Sequence, residues 1–98
     1  MRLTNFEINS IKQTFNKVFN NGQIYLFGSR VDDLKRGGDI DLYIDLDLQI
    51  STKVMIDLKS KFRVMLYDII GEQKIDIVIS KDKNRSIEKE ILNTRVLL

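Results

Sequence analysis

Three aspartates have the spacing in this chain best suited to chemistry. Asp39 and Asp41 are two residues apart in an alternating segment, so both side chains project from one face of a predicted strand, roughly 7 Å apart at ~3.3–3.4 Å rise per residue. Asp76 is on the polar side of a second alternating segment, residues 74–79. Carboxylates placed this close repel each other, and Mg²⁺, a hard cation that prefers oxygen ligands, would relieve the repulsion. The three aspartates are therefore predicted metal ligands and predicted catalytic residues.

A Gly-Ser turn precedes the first two aspartates. Gly28 lets a ligand approach the backbone closely, and Ser29 offers a hydroxyl and the start of a short helical turn. Arg30, followed by Lys35 and Arg36, adds positive charge. Because Mg²⁺ commonly binds a few carboxylates together with substrate phosphates, the turn is predicted to bind a phosphate-bearing substrate.

The third carboxylate has a second predicted role. With two metal ions at the transferring phosphorus, Asp76 could take or orient the proton of an attacking hydroxyl. Each feature also has a simpler interpretation, since a lone Asp-x-Asp usually marks a solvated strand face and Asp76 could be an exposed edge-strand residue. Asp45 and Asp47 are predicted to be surface charges at a strand end. The ordered combination of turn, aspartate pair and third aspartate favours the functional interpretation.

Composition limits the chemistry that this chain can perform. Its 98 residues, 43% hydrophobic and 31% charged, predict one soluble domain over 1–98, with no membrane-spanning run and no secretory signal. A cytoplasmic location is expected. The chain has no cysteine and no histidine, which excludes thiolate chemistry and imidazole-based zinc sites. A net charge of +2 gives no argument for direct nucleic-acid binding.

Hydrophobic periodicity predicts the elements that position these residues. Thr4 and Glu7 form a predicted capping box for the first helix. Ile40, Leu42 and Ile44 are predicted to face the core, and Asp39, Asp41, Tyr43 and Asp45 a polar face. A long helical stripe comprises Val54, Leu58, Phe62, Met65 and Ile69. The predicted elements are a helix over 5–20, a strand over 23–27, a helical turn from Ser29 to about Leu34, a strand from Asp39, a helix from Ser51 or Thr52 to Gly71, a strand over 74–79, a helix over 84–92 and a short strand over 96–98.

This order of elements predicts an α/β (α+β) domain, a small mixed sheet of three to four strands flanked by helices. The sequence also resembles the DNA polymerase β-like nucleotidyltransferase superfamily, and specifically its minimal nucleotidyltransferases, the MNT antitoxins of HEPN/MNT toxin–antitoxin pairs. The resemblance covers nearly the whole chain. The matching residues are Phe27-Gly28-Ser29-Arg30, Gly38-Asp39-Ile40-Asp41-Leu42 and Ile75-Asp76-Ile77-Val78.

The resemblance implies a role for each part of the motif. Gly28 and Ser29 would hold a nucleoside triphosphate, Asp39 and Asp41 would bind Mg²⁺, and Asp76 would be the third ligand that also activates the acceptor. The implied reaction transfers AMP from ATP to a hydroxyl, a tyrosine of a helical HEPN toxin, and releases pyrophosphate. The nine-residue spacer from Arg30 to Gly38 is one residue shorter than the family's usual spacer.

Several features of the implied system stay open at this stage. The short chain leaves no room for an acceptor domain, so a partner protein is expected to supply the acceptor. A surface on the first or last helix could instead form a homodimer. The alternative function is a non-catalytic binding module that neutralises its partner by occlusion.

Overall fold

The structure is a computed structural model, and it describes residues 2–31 and 38–98, apart from the side chain of Ser29. The confirmed fold class is α+β, with helices packed on a mixed sheet. Within the described residues the elements are α1 (Asn5–Val18), β1 (Gln23–Phe27), a 3₁₀ turn (Gly28–Val31), β2 (Ile40–Asp45), α2 (Thr52–Ile70), β3 (Ile75–Ile79), α3 (Ser86–Thr94) and β4 (Val96–Leu97).

The sheet has the strand order β3-β2-β1-β4. Strand β1 is antiparallel to both β2 and β4, whereas β2 and β3 are parallel. A parallel pair needs a crossover connection, and α2 supplies it. As a result, β2 and β3 begin at the same end of the sheet, where β1 ends.

One face of the sheet carries the main core. Alternate residues of β1, β2 and β3 point to this face, and α1 and α2 cover it. The capping box of α1 forms as predicted, with the Thr4 hydroxyl accepting from the Glu7 backbone N–H and the Glu7 carboxylate accepting from that of Thr4. The buried core comprises Ile11, Phe15, Phe19, Ile24, Leu26, Ile40, Leu42, Ile44, Phe62, Leu66, Ile75, Ile77 and Ile79.

Helix α2 packs through a different stripe from the predicted one. Phe62 is buried and Leu58 partly buried, as expected, but Val54 and Ile69 are each 43% exposed. Leu66 is the second fully buried residue of the helix. The predicted stripe follows the helical period, so its members share one side of the helix. The buried side is rotated from that stripe toward Phe62 and Leu66, and packing against the sheet sets this rotation.

The opposite face of the sheet is not purely polar, so the prediction for Tyr43 is wrong. Its side chain is fully buried, because α3 covers this part of the face and the Tyr43 hydroxyl donates to Glu88 Oε1 at 2.8 Å. Alternation identified the face of Tyr43 but not the helix that would cover it.

Other predicted boundaries differ by one or two residues. Helix α1 ends at Val18, β2 begins at Ile40, and α3 is displaced to Ser86–Thr94. The predicted extension of the 3₁₀ turn to Leu34 lies outside the described residues. Among the helices in the described segments, none combines the length and apolarity needed to cross a bilayer.

Candidate active site

Three carboxylates meet where β2 and β3 begin. Asp41 and Asp76 are register partners across the parallel pair, and Asp39 immediately precedes β2. One oxygen from each of the three carboxylates lies within 4.8 Å of those from the other two. Asp39 and Asp41 are half-buried, whereas Asp76 is exposed. The structure thus brings together all three aspartates predicted from the sequence.

Gly28 lies directly against this acidic cluster. It is the first residue after β1, whose last residue, Phe27, pairs with Asp41. Its φ of +77° favours glycine, and a Cβ at this position would overlap the Asp41 carboxylate. The absence of a side chain at Gly28 is therefore required both by the backbone and by the position of Asp41.

Gly28→Ala is expected to displace the Asp41 carboxylate and to weaken binding of Mn²⁺, a spectroscopic probe for this site, about tenfold. Gly71→Ala is the matched control, because Gly71 also has a positive φ, +86°, but open space where its Cβ would be. Both substitutions should lower the free energy of unfolding by about 1–3 kcal/mol through backbone strain. Electron paramagnetic resonance would measure the Mn²⁺ affinity of each variant and should show weaker binding only for Gly28→Ala. Equal affinities in the two variants would contradict the close contact between Gly28 and Asp41.

The position of Asp41 changes its acidity. Partial burial raises its pKa from 3.8 to about 6, with further contributions from the negative charges of Asp76 and Asp39 and from a hydrogen bond with Asp76. Lys74 acts in the opposite direction, since its ammonium group lies 3.3 Å from Asp39 Oδ2. In the apo protein, ionising all three carboxylates is unfavourable, and a bound cation would relieve this.

Asp41→Asn is expected to stabilise the metal-free protein above pH 6. The pKa of Asp41 is about 6 in the folded protein and 3.8 in the unfolded chain, so the folded protein binds this proton more tightly. The contribution of this proton to stability is therefore fully present below pH 3.8 and is lost as the pH rises through 6. The shift corresponds to about 3 kcal/mol at most, which solvent screening of this half-exposed group reduces to about 1 kcal/mol.

Urea unfolding in EDTA at several pH values would measure this effect. The exposed α2 residue Asp57, changed to Asn, is a control that removes the same charge elsewhere. If the wild type and Asp41→Asn have the same free energy of unfolding at pH 7.5, ionisation of Asp41 does not destabilise the folded protein and the prediction is wrong.

Arg30 is held by the chain's first described residues. Its backbone carbonyl accepts a 2.7 Å hydrogen bond from the Arg2 N–H, and its Nη1 donates to the Arg2 carbonyl at 3.1 Å. Sequence patterns gave no sign of this contact, because the two residues are 28 positions apart. The other predicted basic residues, Lys35 and Arg36, and most of the nine-residue spacer lie outside the described residues.

The other predicted acidic residues belong to the opposite end of β2. Asp47 is exposed and its carboxylate accepts from the Gly22 N–H, whereas Asp45 is only 20% exposed and pairs with Lys83 at 3.1 Å. Asp45 is therefore more enclosed than predicted. A cleft of about 510 Å³ also lies at this end, separate from the acidic cluster.

The donor set of the cluster fits a hard divalent cation. Asp39, Asp41 and Asp76 present carboxylate oxygens close enough to share a ligand, and these are the donors that Mg²⁺ prefers. Asp76 is exposed, so water or substrate oxygens could supply further ligands beside it. These residues could hold the metal, with Gly28 forming one wall of the site.

Comparison with known families agrees with this geometry. The family described as polymerase beta, nucleotidyltransferase matches residues 9–98, nearly all of the chain. The chain belongs to this nucleotidyltransferase family. General nucleotidyl transfer is the chemistry that the family supports, and the Gly-Ser turn and three aspartates lie inside the matched region.

A solved structure shares the fold. It is a protein from Sulfolobus solfataricus provisionally assigned as a nucleotidyltransferase, 21% identical, with a TM-score of 0.55 over 99% of this chain and 89% of that one. No curated protein gives a significant match to this chain.

Two residues with structural roles were missed in the sequence, Lys74 beside the site and Glu88 away from it. Lys74 was assigned only to a strand, although its position just before β3 places it beside Asp39, and its backbone carbonyl accepts from the Ile40 N–H. Glu88 was included in an ordinary helix, but it is fully buried under the sheet. Its separation from Ile91 by three residues, on the apolar side of α3, was the available signal for burial.

Proposed function

We propose that this protein is a Mg²⁺-dependent nucleotidyltransferase that transfers AMP from ATP to a tyrosine hydroxyl of a partner HEPN toxin and so acts as an antitoxin. The observation that carries the proposal is the meeting of Asp39, Asp41 and Asp76 beside Gly28 in a chain of this family. The fold and family support nucleotidyl transfer in general. The nucleotide, the acceptor and the antitoxin role are the proposed part.

In the proposed reaction the acceptor oxygen forms a bond to the α-phosphorus of ATP. The bond between that phosphorus and the oxygen bridging to the β-phosphate breaks, and pyrophosphate leaves with the electron pair. Gly28 and Ser29 would bind the triphosphate, and Asp39, Asp41 and Asp76 would hold the metal. When bound, Mg²⁺ supplies positive charge that offsets the charge developing on the phosphoryl and leaving oxygens.

Asp76 accepts or orients the proton of the acceptor hydroxyl. It is the exposed member of the cluster, and it lies on β3, the strand at one edge of the sheet. A hydroxyl on a second protein can therefore approach Asp76 without displacing Asp39 or Asp41. The greater exposure of Asp76 supports its additional role at the acceptor side, besides its place with Asp39 and Asp41 as a metal ligand.

The test is transfer of radiolabel to a purified HEPN protein, which is first sought among the products of the neighbouring genes. The purified proteins are incubated with each α-labelled nucleoside triphosphate in Mg²⁺ or EDTA, and the modified residue is located by mass spectrometry. The proposal predicts Mg²⁺-dependent AMP on a tyrosine of the partner, with ATP preferred. Intact, folded protein that transfers no nucleotide to any partner residue would refute it.

A further inference from the structure

The Gly28–Val31 turn is attached to the N-terminal segment by a reciprocal pair of hydrogen bonds. The Arg2 N–H donates to the Arg30 carbonyl at 2.7 Å, and Arg30 Nη1 donates to the Arg2 carbonyl at 3.1 Å. The second bond is charge-assisted, and such bonds are stronger than neutral ones. Both backbone polar groups of Arg2 are therefore engaged with a single residue of the turn.

The Arg30 guanidinium is enclosed rather than extended into solvent. The residue is half-buried, and its Nε atom is inaccessible and without a hydrogen-bond partner among the described residues. A guanidinium that must leave an enclosed position and break its bond to Arg2 is poorly placed to meet a substrate phosphate. Its geometry instead suits a structural connection between the turn and the N-terminal segment.

The turn is thereby fixed at both ends. At its start, Gly28 lies against the Asp41 carboxylate, and near its end Arg30 is bonded to Arg2. The flanking residues Leu3 and Val31 are partly buried against the main core, which anchors both partners of the contact. A backbone fixed in this way needs little reordering when a ligand binds to it.

We propose that Arg30 is a positioning residue, which acts with the backbone of Arg2 to hold the Gly28–Val31 turn in the conformation that receives the triphosphate. This inference rests on the proposed function, because it assumes that the turn binds the nucleotide. It differs from the sequence-based expectation that Arg30 adds positive charge directly to the phosphates. The two roles make different predictions for variants that leave Arg30 itself intact.

The first comparison removes the partner of Arg30. Deletion of residues 1–3 eliminates the backbone N–H and carbonyl of Arg2. The control R2A/L3A also loses the side chains of residues 2 and 3, but it keeps these backbone groups. Isothermal titration with Mg²⁺ and a non-hydrolysable ATP analogue should show about fivefold weaker binding for the deletion than for the control, because both hydrogen bonds between Arg2 and Arg30 are lost. Hydrogen exchange should be faster at the amides of residues 28–31 in the deletion.

The second comparison removes the Arg30 side chain. Arg30→Met should weaken binding of the analogue about five- to tenfold, and adding the 1–3 deletion should weaken it by less than a further twofold. In the transfer assay the KM for ATP should rise while kcat at saturating ATP stays within about twofold of wild type. These results together would establish positioning.

The outcomes separate this inference from the proposed function. If Arg30→Met weakens binding but the deletion matches R2A/L3A, Arg30 acts directly on the phosphates and the positioning role is wrong. Unchanged affinity in every variant would also overturn it while leaving the proposed function intact. If the wild-type protein does not bind the analogue, the proposed function is refuted, and the positioning role of Arg30 is refuted as well.

Discussion

Asp39→Asn and Asp41→Asn should each reduce nucleotidyl transfer on the order of a thousandfold. Each change replaces a predicted metal-binding carboxylate with a neutral amide, and the bound ion is expected to supply several kcal/mol of charge stabilisation in the transition state. Neither change removes core packing, because both side chains lie where β2 begins and neither belongs to the buried core. Label transfer from α-labelled ATP, measured under single-turnover conditions, gives the rate.

The matched control is Asp57→Asn, which changes an exposed carboxylate on α2. It should transfer at the wild-type rate, and circular dichroism should show all three variants folded. The same variants distinguish catalysis from occlusion. If Asp39→Asn and Asp41→Asn transfer no nucleotide yet fully neutralise the toxin, the protein acts as a non-catalytic binding module.

Glu88→Ala should lower the free energy of unfolding by about 3–5 kcal/mol, because it removes the acceptor of a buried hydrogen-bond and ion-pair network. The fully buried Glu88 carboxylate accepts from the Tyr43 hydroxyl at 2.8 Å, the Asp82 N–H at 2.8 Å and Arg85 Nε at 2.9 Å. Its removal would leave the buried Tyr43 hydroxyl without its acceptor and would break the bonds that hold Asp82 and Arg85. Urea unfolding at pH 7 gives the free energy.

Glu90→Ala is the control, since it removes an exposed glutamate from the same helix and should change stability by less than about 0.5 kcal/mol. The pH dependence gives a second check. Burial alone would raise the pKa of Glu88, but the hydrogen bonds from Asp82, Tyr43, Arg85 and Lys81 outweigh it and lower the pKa below 4.5. Its stabilisation is therefore present above pH 4.5 and is lost as the pH falls. Equal unfolding free energies for Glu88→Ala and Glu90→Ala would contradict this account of Glu88.

The local elements were predictable because each carries its signal in neighbouring residues. Strand β1 was predicted with its observed bounds, and alternation correctly placed Ile40, Leu42 and Ile44 in the core. The proximity of Asp39 and Asp41 follows from the strand repeat. Asp76 was assigned to the same site from its polar position on a later strand, and the family resemblance added support. Its place beside Asp41 was not predictable, since a strand pattern does not specify its partner or register.

What the sequence did not reveal depends on contacts between distant residues. The burial of Tyr43 requires α3 to lie over its face of the sheet, and the contact between Arg2 and Arg30 requires the N-terminal segment to meet the turn. Neither leaves a periodic pattern. The burial of Leu66 instead of Val54 in α2 has the same origin, because the two residues have similar apolarity and only tertiary packing decides which one is buried.

The central claim is that the turn and the acidic cluster form one nucleotide and metal site. It is tested most directly by a crystal structure with Mn²⁺ and a non-hydrolysable ATP analogue, with the metal located by anomalous scattering. The account predicts Mn²⁺ bound by Asp39 and Asp41, with the triphosphate against Gly28. A nucleotide bound instead in the cleft beside Asp45, with no metal at the aspartates, would contradict it.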